Sequence, residues 1–113
     1  MWVCLKHKII YLNRVAINLI GNPTHLSFCY DEEGGILYFS PADSNDLDAY
    51  EIQKCYFSNI DKPCAIARIA FLKALQHRLG WENGSKYYFN GTAMKLDNIP
   101  TLVYTVTEGM RTR

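Results

Sequence analysis

Residues 8–21 have the sequence Lys-Ile-Ile-Tyr-Leu-Asn-Arg-Val-Ala-Ile-Asn-Leu-Ile-Gly, and this stretch decides the fold. Its first five residues are mostly β-branched or aromatic, which favours a strand. Asn13 then suits a helix N-cap, because its side-chain oxygen can accept a hydrogen bond from a free amide of the first turn. Apolar residues at helical spacing predict a short helix over residues 14–20, which Gly21 ends. A helix of two turns is unstable alone, so we expect it to pack on strands.

Extended segments are predicted on both sides of this helix. Residues 2–12 indicate two short strands with a polar bend at residues 6–8. The apolar residues expected on their buried face are Val3, Leu5, Ile9 and Tyr11. Residues 24–30 alternate apolar and polar side chains, and residues 36–39 form a second apolar run. The acids and two glycines between them predict a turn, so these two runs are expected to pair as a β-hairpin.

The second half of the chain repeats this order of elements. It predicts strands at 51–57 and 64–69, followed by a helix at 70–79 that Gly80 ends. A hairpin is then predicted over 86–107 with its turn at 97–100, and Asn90-Gly91 offers a competing turn. Each half has the order ββαββ, which indicates an α+β, mostly β fold in one domain. Its expected parts are a first half (1–42), an acidic linker (43–50), a second half (51–107) and a flexible tail (108–113).

Residues 26–41 read Leu-Ser-Phe-Cys-Tyr-Asp-Glu-Glu-Gly-Gly-Ile-Leu-Tyr-Phe-Ser-Pro. Together with residues 8–21 they resemble the AbrB/MazE/SpoVT swapped-hairpin family, in which a strand ending Ile-Pro leads into a short helix ending Leu-Gly and then a hairpin. Here Leu12-Asn13 stands at the Ile-Pro position and Ile20-Gly21 ends the helix. The resemblance implies a swapped-hairpin barrel. Two tandem copies, as in MraZ-like proteins, would close a pseudo-dimeric barrel within one chain.

The same resemblance implies binding of double-stranded DNA by a transcriptional regulator or an antitoxin. Family members contact DNA with basic side chains of the first hairpin and the early helix. The matching residues here are Lys6, Lys8 and Arg14, with His7 as a weaker partner, and the comparable residues of the second half are Arg68, Lys73 and Arg78. Lysine neutralises phosphate as a point charge, whereas arginine can bond phosphate or guanine through two parallel hydrogen bonds.

Charge is segregated along the chain. The 113 residues contain 12 Lys and Arg against 11 Asp and Glu, a formal charge of +1. Residues 1–30 carry +3 without any acid, residues 31–61 carry −7, and residues 62–113 carry +5. Near-neutrality argues against a histone-like binder, but two basic blocks can still build a basic face. The alternative is that the acids simply collect in turns and loops, where they are solvated.

No arrangement of residues predicts catalysis, a metal or a cofactor. The four cysteines, Cys4, Cys29, Cys55 and Cys64, form no Cys-x-x-Cys pair and fit reduced thiols of a cytoplasmic protein. The acids at 31–33 suit a turn, and those at 43–48 lack the glycine of a calcium loop. No segment approaches the roughly 18 apolar residues that span a bilayer, so no membrane association is expected. We therefore expect a non-enzyme.

A protein-interaction module is the alternative function. In it, the acidic middle segment or an exposed edge strand docks a partner protein. The aromatic run Tyr87-Tyr88-Phe89 can serve either as a base-stacking platform or as sheet packing, and Trp81 is expected to cover the core. A homodimer is a further expectation, because dimerisation would double a small basic footprint.

Overall fold

The computed structural model describes residues 1–108 and 110–112. In chain order its elements are β1 (Trp2–Cys4), β2 (Ile9–Leu12), α1 (Arg14–Leu19), β3 (His25–Asp31), β4 (Ile36–Pro41), β5 (Tyr50–Glu51), α2 (Lys54–Ser58), β6 (Cys64–Ile66), α3 (Ile69–Leu79), β7 (Lys86–Tyr88), β8 (Gly91–Leu96), β9 (Ile99–Thr105), a 3-10 turn (Val106–Glu108) and β10 (Met110–Thr112). No helix among the described residues is long and apolar enough to cross a membrane.

The strands form two antiparallel sheets of five strands each. One has the order β10-β7-β1-β2-β6 and the other the order β5-β3-β4-β9-β8. The predicted α+β, mostly β class is confirmed. The predicted closed barrel is wrong, because barrel closure requires the outermost strands to pair with one another, and over the described ranges both sheets stay open.

Around α1, the structure of the first half agrees closely with the prediction from the sequence. The Asn13 side chain accepts a hydrogen bond from the Ala16 amide at 2.8 Å and so caps α1. The helix buries Ala16 and Ile17, and Ile20 just beyond it is also buried. Val15 and Leu19, which helical spacing placed with the apolar side chains, are 69% and 59% exposed instead.

In the β1–β2 hairpin, the residues on the buried face of β2 differ from those predicted. Val3 pairs with Ile10, and both are buried with Leu12, whereas Ile9 and Tyr11 point to the other side of the sheet. The period-two count fails across the bend because its last residue, Lys8, adopts a left-handed conformation with φ 57°. The alternation therefore restarts after the bend.

The β3–β4 hairpin forms as predicted and supplies much of the core. Phe28 pairs with Phe39, and the turn uses Gly35 at φ 65°. Leu26, Leu37 and Phe39 are fully buried. They join one continuous apolar core with residues of the first sheet and of the helices. Of the alternating apolar residues predicted in β3, Phe28 and Tyr30 are only partly buried. The acidic segment 43–50 leads from this hairpin to β5.

The second half contains the largest local correction. The predicted strand 51–57 is wrong: β5 covers only Tyr50–Glu51, and a short helix, α2, follows. The predicted helix is confirmed as α3, which ends at Gly80 in a left-handed conformation. The turn predicted at 97–100 is confirmed in a shorter form, as Asp97-Asn98, with both residues at positive φ. The predicted start of the hairpin at residue 86 is wrong, because β7 pairs with β1 and β10 and the hairpin begins at Gly91.

The competing turn at Asn90-Gly91 does not form, because Gly91 begins strand β8. A Cβ atom there would lie 2.4 Å from the Tyr104 ring, so the position needs glycine for packing and not for a turn. In the stretch 108–113, for which the sequence predicts a flexible tail, β10 pairs with β7. Residues 109 and 113 lie outside the described residues.

Candidate nucleic-acid interface

A groove lies where the turn between β1 and β2 meets the C-terminal half of α3. Its volume is about 540 Å³, and we call it the basic groove. Its lining residues are Lys8, Lys73, Gln76, His77, Gly80, Trp81 and Asn83. None of these described lining residues is Asp or Glu. The groove therefore combines two ammonium groups, an imidazole and two amides, which suits an anionic ligand.

Lys8 is held in place by neutral partners. Its ammonium donates to Gln76 Oε1 at 3.0 Å and to Asn83 Oδ1 at 3.1 Å. The Gln76 amide in turn donates to Asn83 Oδ1 at 2.7 Å and to the Trp81 carbonyl at 3.2 Å. Amide oxygens orient a cation without cancelling its charge. The network therefore fixes the position of Lys8 and leaves its positive charge for a ligand.

One face of α3 supplies most of the wall. Lys73, Gln76, His77 and Gly80 follow one another at helical spacings of three, one and three residues, so they lie on the same side of the helix. The buried Leu72 and Leu75 anchor the adjacent side in the core. The left-handed Gly80 turns the chain away and sends Trp81 beneath the groove.

Trp81 forms an apolar floor. It is 8% exposed, and its ring stacks on Tyr87 with centroids 5.4 Å apart and planes 25° apart. It also contacts the Phe89 ring at 5.5 Å. The predicted role of Trp81 in covering the core is confirmed.

Lys6 and His7 lie beside the groove. Both are exposed in the turn that ends with Lys8. The turn therefore presents three adjacent basic side chains, and α3 adds Lys73 and His77. These residues come from positions 6–8 and 73–77, in the two basic blocks of the sequence.

Arg14 is used differently from what the resemblance implies. Its guanidinium donates to the carbonyl oxygens of Tyr56 and Asn59 and lies over the Tyr56 ring, 4.1 Å from the ring centroid. These carbonyls belong to the C-terminal end of α2, where the helix leaves carbonyl groups unsatisfied and favours a cation. Arg14 therefore fastens α2 to the start of α1.

The other two predicted arginines also hold elements together. Arg68 donates to the Ala49 carbonyl at 3.3 Å, with its guanidinium 5.3 Å from the Tyr50 ring centroid. Arg78 pairs with Glu32 at 2.6 Å and links α3 to the β3–β4 turn. Of the residues predicted to contact DNA, the structure brings Lys8 and Lys73 into one groove with Lys6 and His7 beside it. The three arginines lie elsewhere, bonded to backbone carbonyls or to an acid.

The aromatic run at 87–89 is divided among three environments. Phe89 is buried, and Tyr87 packs on Trp81. Tyr88 is 43% exposed but stacks on Trp2, and Trp2 stacks on Tyr11 with centroids 5.1 Å apart. Neighbouring rings thus cover one another, so this row favours sheet packing over base stacking.

The cysteines divide into two buried and two exposed thiols. Cys4 and Cys64 are buried, whereas Cys29 and Cys55 are exposed. Burial raises the pKa of the Cys64 thiol to about 12, so this thiol is protonated at neutral pH and is a poor nucleophile. Among the described residues, no group of three or more His, Cys, Asp or Glu side chains is arranged to hold a metal ion.

Sequence reasoning missed three residues of the groove: Gln76, His77 and Asn83. The helical spacing from Lys73 to His77 was the available signal, whereas Asn83 is brought in by the chain reversal at Gly80. The chain matches no family model, and no curated protein or solved structure matches it either. The groove is therefore interpreted from its own chemistry.

Proposed function

We propose that this protein binds nucleic acid, with double-stranded DNA as the ligand, through the basic groove and the adjoining turn. One observation carries the proposal: Lys8 and Lys73, far apart in sequence, line one groove whose described lining residues include no acid. A regulator or antitoxin role accords with the resemblance of residues 8–41 to the AbrB/MazE/SpoVT family.

We also propose that the fold is related to the swapped-hairpin arrangement, with its sheets open. The support is the order of strands in the two halves. β2 of the first half pairs with β6 of the second, and β4 pairs with β9. Each sheet thus contains a junction between the halves, as expected if two similar units pack about an approximate two-fold axis.

The chemistry of the proposed contact is phosphate neutralisation. Lys6, Lys8 and Lys73 each offer an ammonium group to a phosphate oxygen. Because Lys8 is already anchored by Gln76 and Asn83, it loses less side-chain freedom on binding than a free lysine would. Three neutralised phosphates give a slope of log affinity against log salt of about −2.7 for duplex DNA.

Fluorescence anisotropy with a labelled mixed-sequence duplex in low salt tests this function. The Lys6→Gln/Lys73→Gln double variant removes two exposed charges without touching the Lys8 network. We expect weaker binding and a salt slope smaller in magnitude by about 2. The matched control, Lys54→Gln/Lys62→Gln, removes the same charge from exposed positions outside the groove and keeps the wild-type slope.

Two results would overturn the proposal. One is the absence of duplex binding by the wild-type protein at tens of micromolar in low salt. The other is an equal loss of affinity in both double variants, because binding would then depend on net charge and not on the groove.

A protein-interaction role is the second candidate function. It is favoured by strand β8, whose six residues are all exposed. If duplex binding is absent while the protein forms a specific complex with a different protein through β8, this second function replaces the first.

A further inference from the structure

Strand β8 presents a long free edge. On one side it pairs with β9, and on the other no strand of the described chain lies against it. The other outermost strands are short: β5 has two residues, while β6 and β10 have three each. Because β5 pairs only with His25 and Leu26, residues 27–31 of β3 are also without a strand partner on that side within the described ranges. Native proteins usually keep edges short or cover them, because unpaired N–H and C=O groups attract another strand. Among the described residues, β8 is the longest of the four outermost strands and is free along all six of its residues.

The hairpin turn shows which backbone groups are free. Asp97 and Asn98 form a two-residue turn with φ of 51° and 65°, as in a type I′ hairpin. In such a hairpin the flanking residues Leu96 and Ile99 form a hydrogen-bonded pair. Because hydrogen bonding alternates along an antiparallel strand, the outward N–H and C=O groups belong to alternate residues. These are Gly91, Ala93 and Lys95.

Two of the three edge residues, Gly91 and Ala93, have small side chains, and the third is Lys95. Gly91 pairs with Tyr104 and Ala93 with Leu102, so both face the inner side of the sheet next to α1. A groove of about 210 Å³ separates them from α1 and includes Val15 and Leu19 in its wall. The exposed side chains of Val15 and Leu19 therefore lie across this groove from the free edge of β8.

We propose that the free edge of β8 pairs antiparallel with β8 of a second copy of this chain, with Ala93 of each copy on the two-fold axis. In this register Lys95 lies opposite Gly91 of the other copy. The two lysines are then four residues, roughly 13 Å, apart along the paired strands. That distance exceeds the screening length at physiological salt, so Lys95, the single charge between positions 91 and 96, does not oppose the pairing.

In this register the groove between α1 and β8 of one copy also meets the same groove of the other copy. Small residues at positions 91 and 93 form the groove floor in each copy, and the floors become continuous across the axis. Val15 and Leu19 of both copies then border one shared apolar surface. An isologous contact of this kind uses one patch twice and closes at two chains, which avoids open-ended assembly. The inference is independent of DNA binding by the basic groove.

Sedimentation equilibrium of the full chain tests the proposal. We expect wild-type protein to approach twice its 13.0 kDa monomer mass as its concentration rises to about 500 µM. Ala93→Lys places two lysines directly opposite each other and should remain monomeric. Leu47→Lys adds the same charge at a position that is 99% exposed and outside β8, and should dimerise like wild type.

Amide hydrogen exchange on the wild-type protein provides a test that needs no variant. Exchange at Gly91, Ala93 and Lys95 should slow as concentration rises from 10 µM to 500 µM, whereas the amides of residues 43–49 should not change. A monomeric wild type at 500 µM, an Ala93→Lys variant that dimerises as wild type does, or β8 exchange rates independent of concentration would each overturn the proposal.

Discussion

Replacing Arg14 with alanine removes the guanidinium that joins α1 to the end of α2. Two charge-assisted hydrogen bonds, to the carbonyls of Tyr56 and Asn59, are lost together with the stacking on the Tyr56 ring. Hydrogen bonds to charged groups contribute about 1.5–3 kcal/mol when buried, and cation–π contacts about 0.5–2 kcal/mol. Because Arg14 is half-buried and these terms are not additive, we expect a net loss of about 2 kcal/mol.

Urea denaturation followed by circular dichroism measures this loss, and for a chain of this size it corresponds to a lowering of Tm by roughly 6–12 °C. Arg14→Lys keeps the charge but replaces a planar fork with one ammonium group, so we expect about half the loss. Lys62→Ala, an exposed basic residue, serves as the control and should unfold like wild type. An Arg14→Ala variant within about 0.5 kcal/mol of wild type would refute the structural role of Arg14.

The same variant distinguishes a structural arginine from a DNA-contacting one. Below its melting transition, Arg14→Ala should bind duplex DNA within about twofold of wild type, because the guanidinium faces carbonyl groups and not the basic groove. If affinity falls as strongly as in the Lys6→Gln/Lys73→Gln variant while the protein stays folded, Arg14 contacts DNA directly. The contact that the family resemblance implies would then be correct.

Three further perturbations are predicted from local structure. Gly91→Ala places a Cβ atom 2.4 Å from the Tyr104 ring and should cost about 1–3 kcal/mol, measured by urea denaturation. Asn13→Ala removes the cap of α1 and should lower the free energy of unfolding by about 1 kcal/mol. Asn18→Ala, on the exposed side of the same helix, should change it little, and equal losses in the two variants would contradict the cap. Burial raises the pKa of Cys64 and of Tyr104 to about 12 from ordinary values of 9.0 and 10.0. The unfolded chain loses these protons first, so the free energy of unfolding should fall between pH 9 and pH 12, and stability independent of pH in this range would contradict their burial.

The elements that the sequence predicts well are those specified by neighbouring residues. The Asn13 cap, the β3–β4 hairpin and the termination of α3 at Gly80 each depend on side chains or backbone conformations within a few positions of the feature itself. The Asp97-Asn98 turn belongs to the same group, because Asp and Asn tolerate positive φ. Local chemistry and the final fold agree at these positions.

The elements that the sequence predicts badly depend on distant partners. Residues 54–58 form α2 in place of a strand, and Arg14, forty residues earlier, bonds to the carbonyls at its end. Gly91 is required by the Tyr104 ring across the hairpin and not by a turn. The buried face of β2 shifted because Lys8 changes the alternation at the bend. For α2 and Gly91 the deciding contact lies outside the local sequence window, whereas for β2 the cause is the backbone conformation of the neighbouring Lys8.

The basic groove could be predicted from the sequence only in part. Lys6, His7, Lys8 and Lys73 were identified as basic residues from the charge blocks and the family resemblance, but their meeting is a property of the fold. Arg14, Arg68 and Arg78 carry the same charge, yet each bonds to a carbonyl or a carboxylate within the chain. Charge alone could not separate the two groups, because the separation depends on which acceptors the fold brings near.

The most direct test of the basic groove is an NMR titration of ¹⁵N-labelled protein with a short mixed-sequence duplex in low salt. We predict that the largest shift changes fall on the backbone amides of residues 6–8 and 73–83 and on the side-chain amides of Gln76 and Asn83, which report on Lys8. Changes absent from these residues, or confined to the acidic segment 43–50 and to β8, would contradict nucleic-acid binding at the groove.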